Sequence, residues 1–439
     1  MNHVFHRQPK NTMPTVSHGD GCYLVDTQGK RYFDGSCGAA VSCLGHSDEV
    51  VNEAIKTQLD KVALGYSGFF TSEPMEELAD FLVARAPGNL DRVYFVSGGS
   101  EAMEAAIKLA RQYYLEIGEP GRHHVIARRQ SYHGNTLGAL SAGGNMWRRE
   151  PFSPMLNAAS HISPCYEYRG KLDDETSTEY GLRVANELET EIERLGPENV
   201  LAFVAEPVVG ATLGAVSPVE GYFKRIREIC NQYGILLILD EVMCGMGRTG
   251  TLFACEQDDI VPDIIAIAKG MGAGYQPIGA TLCTDVIYDA VVGGTGFFQH
   301  GHTYQGHTTA CAASLAVLKT MEERGLVDHV KAMGAMLRDE LILRFGQHPH
   351  IGDIRGRGLF LGLEIVADRS SKQHFDPSWQ KNVKIKKAAF AEGLICYPMG
   401  GTLDGKTGDH VLLAPPFILQ QDHVGEIVDK LDKAFSAVL

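Results

Sequence analysis

Ile235-Leu-Leu-Ile-Leu-Asp240-Glu241 and Ile264-Ile-Ala-Ile-Ala268-Lys269-Gly270 are short, unbroken apolar runs that each end in charged residues and then a turn. Aliphatic runs of this length without alternation suit strands buried on both faces, the condition inside a parallel sheet covered by helices. The unit recurs upstream. Arg92–Val96 runs into Ser97-Gly-Gly-Ser, His124–Ala127 precedes Tyr132-His-Gly, and Val200–Ala205 runs into Glu206-Pro207, with helical stretches between them. Strand–turn–helix alternation predicts an α/β fold built on a mainly parallel sheet. Ligands of such sheets sit outside the carboxyl ends of the strands, where all the polar residues just quoted fall.

Working outward, Gly21–Asp26 and Gly29–Asp34 alternate apolar and polar residues about a glycine-containing turn, the pattern of a β-hairpin. Asp48–Ala63 and Pro74–Ala86 carry apolar residues at helical spacing, whereas the polar insertion Glu167–Tyr180 reads as a surface loop. After Ala310 the pattern changes to a long helix at Cys311–Arg324, further helices and a glycine-rich hairpin at Arg355–Glu364. We therefore expect a large domain over 56–309 and a smaller α+β domain assembled from 1–55 and 310–439.

Composition narrows the function. With 44% hydrophobic and 21% charged residues, the chain has the balance of a globular protein with an ample core. A net charge of −14 argues against nucleic acid or an anionic membrane as partner, since both need clustered Lys and Arg. The ten cysteines include no CxxC pair, the opening segment has no apolar core of a signal peptide, and no run approaches the roughly 20 apolar residues of a membrane span. A cytoplasmic protein is expected.

Five motifs bear on chemistry. Lys269 stands where a buried strand opens into a flexible turn, and a lysine among apolar neighbours loses its proton readily enough for Schiff-base chemistry; taken alone it is also compatible with a surface lysine. Asp240 and Glu241 end a buried strand, so one of them is expected to face a cation, the alternative being two solvated loop acids. Ser97-Gly98-Gly99-Ser100 opens a helix whose free N–H groups form a phosphate seat, or merely an N-cap. Cys244-Gly-Met-Gly-Arg-Thr-Gly250 satisfies the letters of a dinucleotide fingerprint, but no clear helix follows, and we take the match as accidental. His300-Gly-His302-Thr-Tyr-Gln-Gly-His307 has irregular spacing and no carboxylate, so no metal is expected there.

Together these segments resemble the class III (ω-amino acid:pyruvate or ornithine-type) aminotransferases of pyridoxal-5′-phosphate (PLP) fold type I. The resemblance runs from Gly21-Cys-Tyr-Leu-Val-Asp to Ala414-Pro-Pro-Phe and is most specific at Ser97–Arg111, Leu239–Gly250 and Ile267–Ala280. It implies PLP as cofactor, held by Lys269, with Asp240 on the pyridinium nitrogen, Tyr132 and Val242 on the two ring faces, and Gly99 and Ser100 on the phosphate. It further implies a homodimer or dimer of dimers in which Thr303 reaches the phosphate from a second subunit. Glu206 matches an acid of the substrate pocket, and Phe69 and Phe70 match its aromatic lining.

Two departures refine the expected substrate. Met243 stands where ornithine- and GABA-type members carry glutamine, as in ω-amino acid:pyruvate types. Leu412 stands where the ornithine-type pattern has an arginine for the α-carboxylate. The expected reaction moves an amino group from a primary amine or ω-amino acid to a keto acid, pyruvate or 2-oxoglutarate. Lys406 is the first choice for the cation that meets the acceptor's carboxylate, with Arg148 and Arg149 behind it. A PLP-dependent decarboxylase or racemase, a nicotinamide dehydrogenase and a non-catalytic scaffold are the competing readings.

Overall fold

The computed structural model describes residues 3–439. At its centre lies a seven-stranded sheet in the spatial order Leu90–Val96, Gly279–Thr284, Ile264–Ile267, Leu236–Asp240, Val200–Ala205, His124–Arg128, Ala159–Ile162. Strand Gly279–Thr284 is antiparallel to both neighbours, and the remaining pairings are parallel. The exception has a local cause. Between Ile267 and Gly279 the chain makes only the short turn that begins at Lys269–Met271, too little for a crossover helix, so it returns antiparallel.

Helices cover both faces. Val200–Ala205 and Leu236–Asp240 are buried at every position, which is why their sequences show no alternation. The helix Gly99–Glu116 turns Ala102, Met103, Ala106 and Leu109 to one side of the sheet. The other side packs Ile226, Leu237, Leu239 and Ile267 into the largest apolar cluster of the molecule.

Two four-stranded sheets flank this body. One pairs Val16–Asp20, Tyr23–Asp26 and Arg31–Asp34 with the short strand Leu394–Ile395, and its Tyr23–Asp34 portion is the expected hairpin, turning at Gly29 with φ 83°. The other is wholly antiparallel, in the order Ile351–Arg357, Phe360–Ile365, Asp409–Leu413, Tyr397–Gly400. Helix Glu49–Lys61 begins at Asp48, whose side chain accepts from the Val50 and Val51 N–H groups.

The polar insertion is a loop only over 171–176. Glu167–Gly170 is a helical turn, and Ser177 opens a long helix to Leu195. Thr176 accepts from the Glu179 N–H at 3.2 Å while the Glu179 carboxylate accepts from the Thr176 N–H at 2.8 Å, a capping box that starts a helix inside a stretch with little hydrophobic patterning. Arg169 donates to Glu364 at 2.9 and 3.0 Å, tying the insertion to the C-terminal sheet. Among the described residues, no helix is long and apolar enough to cross a membrane.

Candidate active site

The strand ends converge on one cavity of about 430 Å³. Lys269 enters it from the turn after Ile264–Ile267, with its backbone in the left-handed region at φ 46°. For a side chain with a Cβ that conformation costs about 1–3 kcal/mol. The turn holds it there, since the Gly272 and Ala273 N–H groups both donate to the Lys269 carbonyl, at 3.0 and 2.9 Å. Lys269 as a whole residue keeps partial exposure because it opens into the cavity. Its amine is nevertheless enclosed enough that burial pushes its pKa down to about 8, against the opposing pull of the Asp240 and Glu206 carboxylates.

Asp240 and Glu241 point to different tasks. One Asp240 oxygen accepts from the Val242 N–H at 3.0 Å, and the other lies 2.8 Å from His133 Nδ1. A carboxylate only accepts, so Nδ1 carries the proton of this imidazole. The His133 side chain is fully buried and its Nε2 has no hydrogen-bond partner. Sequence reasoning missed His133, although it is the middle residue of the Tyr132-His-Gly motif that supplied Tyr132. Glu241 turns away from the cavity. Its two oxygens accept from the Ala254 and Cys255 N–H groups at 2.6 and 2.8 Å, and burial raises its pKa to about 7.

Across the cavity, Gly99 begins the 18-residue helix to Glu116, leaving backbone N–H groups free at the cavity wall. Ser100 is held by Asn135, with Ser100 Oγ 3.0 Å from the amide oxygen and accepting from the Asn135 N–H at 3.1 Å. A Cβ on Gly99 would come within 2.6 Å of Val242 Cγ1. Gly99→Ala is therefore expected to push Val242 into the cavity and weaken PLP retention about tenfold, measured by spectrophotometric titration. Restoration by the double variant Gly99→Ala/Val242→Ala would show that this contact, and not helix strain, is responsible.

Tyr132 and Glu206 line the same cavity. Both Glu206 oxygens are engaged by backbone, accepting from the Tyr132 N–H at 3.1 Å and the Gly210 N–H at 2.9 Å, and burial raises the pKa of this acid. Seven expected residues, Gly99, Ser100, Tyr132, Glu206, Asp240, Val242 and Lys269, thus meet in one place.

Four expected residues do not join that lining. Phe69 and Phe70 are 83% and 69% exposed, and Thr303 is also exposed. Lys406 lies on the surface 3.7 Å from Glu150, so the choice of Lys406 as carboxylate anchor has no support in this geometry. Arg149 is committed to the backbone, donating to the Leu140, Ser141 and Gly143 carbonyls. Leu412 is buried in an apolar cluster with Val208, Met243 and Phe360, which leaves no cation at that position. Arg148 stands closer to the site, with its guanidinium 4.5 Å from the Tyr132 ring centroid.

The histidine-rich stretch contacts the loop before helix Gly99–Glu116 and starts another helix. His302 Nε2 lies 2.9 Å from Ser97 Oγ, and the His307 ring accepts from the Ala310 N–H at 3.4 Å to cap helix Thr308–Glu323. Among the described residues, no group of three or more His, Cys, Asp or Glu is placed to hold a metal ion. After Gly250 comes only a short 3₁₀ turn at Ala254–Asp258, not the helix a dinucleotide fold requires.

The family described as "Aminotransferase class-III" matches residues 4–435. The chain is 45% identical to an uncharacterized aminotransferase of Schizosaccharomyces pombe over 100% of its own length and 96% of that protein. Its fold is similar to that of a thermostable (S)-enantioselective omega-transaminase from Thermomicrobium roseum, with a TM-score of 0.93, 37% identity, and coverage of 100% of this chain and 96% of that one. The omega transaminase of Pseudomonas jessenii, solved in complex with PMP, has a TM-score of 0.93 at 31% identity, again covering 100% of this chain and 96% of that one.

Proposed function

The chain belongs to the class III aminotransferase family, PLP-dependent enzymes that transfer amino groups, and from that premise we propose that Lys269 holds PLP while the enzyme moves nitrogen from a primary amine or ω-amino acid to pyruvate or 2-oxoglutarate. One observation carries the reading: an amine of lowered basicity, a carboxylate and a helix N-terminus freed by glycine open into one cavity. The cavity suits PLP on its own terms, because the space a Cβ on Gly99 would fill is kept clear and Asp240 offers a carboxylate oriented from two sides.

Bound there, PLP supplies an electron sink that lets the C–H bond beside the transferred nitrogen break and stores that nitrogen between the two half-reactions. The rest is the work of the chain. Lys269 would hold the cofactor through its Nζ, and its amine, of lowered basicity, is the base within the cavity that would take a proton from the donor carbon and return it. Asp240 would keep a proton on the ring nitrogen, and His133, bonded to one Asp240 oxygen at 2.8 Å, orients that carboxylate. Gly99 and Ser100 would hold the phosphate at the helix N-terminus, and Tyr132 and Val242, which line the same cavity, would hold the ring.

Phe69, Phe70 and Thr303 belong to this site only if a second copy supplies them, as a homodimer or dimer of dimers would. The exposure of two adjacent phenylalanines supports such an interface. All ten cysteines are free, which supports the cytoplasm as the working compartment.

The test is a half-reaction. A primary amine added alone to the yellow protein should bleach it and leave pyridoxamine phosphate, and pyruvate or 2-oxoglutarate should then restore the colour. Persistent colour with release of carbon dioxide, or with inversion of an amino acid, would place the chemistry with a decarboxylase or racemase instead.

A further inference from the structure

The expected reaction alternates an amine donor with an acceptor that bears a carboxylate, yet the cavity offers that carboxylate little. Its acids, Asp240 and Glu206, are already bonded, and its lysine is the one assigned to the cofactor. Leu412 is apolar and buried, Arg149 is bonded to three carbonyls, and Lys406 faces Glu150. Arg148 differs from all of these. Its guanidinium lies over the Tyr132 ring at 4.5 Å, its Nε is buried without a hydrogen-bond partner, and among the described residues it makes no ion pair. A guanidinium stacked on an aromatic face with an unanswered N–H is a fork waiting for a planar anion.

The backbone beneath it is held firmly. Arg148 sits in the helical turn Met146–Arg149, capped by Asn145, whose side chain accepts from the Arg148 N–H at 3.3 Å. The Asn145 amide donates to Gln130 Oε1 at 2.8 Å, and Gln130 Nε2 donates to the Gly401 carbonyl at 2.8 Å. The base is fixed while the side chain, about 7 Å long when extended, remains unpaired at its tip. Its charge reaches the reaction centre, because it opposes protonation of both the Lys269 amine and the Tyr132 hydroxyl.

We propose that Arg148 is the carboxylate-recognising residue of this enzyme, resting on Tyr132 when an uncharged amine donor occupies the pocket and leaving that stack to pair with the carboxylate of the keto acid. The assignment rests on the aminotransferase reading given above. It explains how a pocket whose lining carries no lysine or arginine besides Lys269 accepts two kinds of substrate without a permanent charge in the donor's path.

The experiment uses the holoenzyme as parent, Arg148→Met, Arg148→Lys and, as a control for the exposed cation whose charge also reaches Tyr132, Arg7→Ala. Propionate, a carboxylate with no carbonyl to react, is titrated calorimetrically, and kcat/KM is measured for pyruvate and for propanal with one amine donor. Arg148→Met should weaken propionate binding and lower the pyruvate-to-propanal ratio, each on the order of 30-fold, through KM more than kcat. Arg148→Lys should restore part of both, and Arg7→Ala should leave the ratio within about twofold of the parent. Retention of propionate binding and of the ratio by Arg148→Met would overturn the assignment, as would equal losses toward pyruvate and propanal, which mark a packing role. A parent that aminates neither carbonyl compound would sink the aminotransferase reading, while the propionate titration still decides Arg148.

Discussion

Lys269→Ala is expected to lose covalently held PLP and to lower kcat by about 10³-fold or more, the scale on which removal of a positioned base is felt. Borohydride reduction of the parent followed by peptide mapping should label Lys269, and labelling of another lysine would refute the assignment. The turn that holds this residue at φ 46° gains nothing structurally from a lysine, since alanine fits the same hydrogen bonds, so the variant should fold. The lowered basicity adds a second readout. A lysine whose pKa falls from 10.5 to about 8 on folding holds fewer protons in the folded state than in the unfolded one between those values. Stability of the cofactor-free parent should therefore rise as pH increases from about 8 toward 10.5, and the rise should be missing from cofactor-free Lys269→Ala. Below about pH 8, capture of added PLP by the parent should slow as the amine takes up its proton. A Lys269 with ordinary basicity would show no such rise in stability, and its capture of PLP would already slow as pH falls below about 10.5.

The sites that sequence made legible are those where backbone period and side-chain chemistry coincide. Asp240 and Lys269 end fully apolar runs, and an apolar run can end in a charge only where the strand leaves the core. The Gly99-Ser100 turn was legible for a related reason, because glycine before a helix signals a close approach, here to Val242 at 2.6 Å from the Cβ position. What failed to show depends on contacts between distant segments. Lys406 and Arg148 look alike in sequence, and only the fold sets one against Glu150 and the other on Tyr132. His133 is an ordinary histidine until the strand ending at Asp240 comes to lie beside it, 107 positions along the chain. The insertion at Glu167–Tyr180 misled because its helix from Ser177 is started by a capping box and its turn Glu167–Gly170 is anchored by Arg169 to Glu364, neither of which leaves a hydrophobic period.

Asp240→Asn and Glu241→Gln should separate chemistry from architecture at two adjacent carboxylates. Asparagine at 240 keeps an oxygen for the Val242 N–H, and its amide can donate to His133 once that ring shifts its proton to Nε2, so the fold has little reason to change. What disappears is the negative charge that stabilises a proton on the cofactor's ring nitrogen. Electrostatic support of this kind from a buried carboxylate is worth several kcal/mol in the transition state, and kcat should fall on the order of 10³-fold with the melting temperature nearly unmoved. Glu241→Gln should do the reverse. Both Glu241 oxygens accept backbone N–H groups of Ala254 and Cys255, and glutamine can satisfy one of them while presenting an N–H to the other. The unsatisfied donor should cost about 1–3 kcal/mol of stability, seen as a lower melting temperature, while kcat per folded, PLP-loaded molecule stays within about threefold of the parent. Equal losses of kcat in the two variants would mean that Glu241, despite facing away from the cavity, shares the electrostatic role, and the division of labour between the two carboxylates would have to be abandoned.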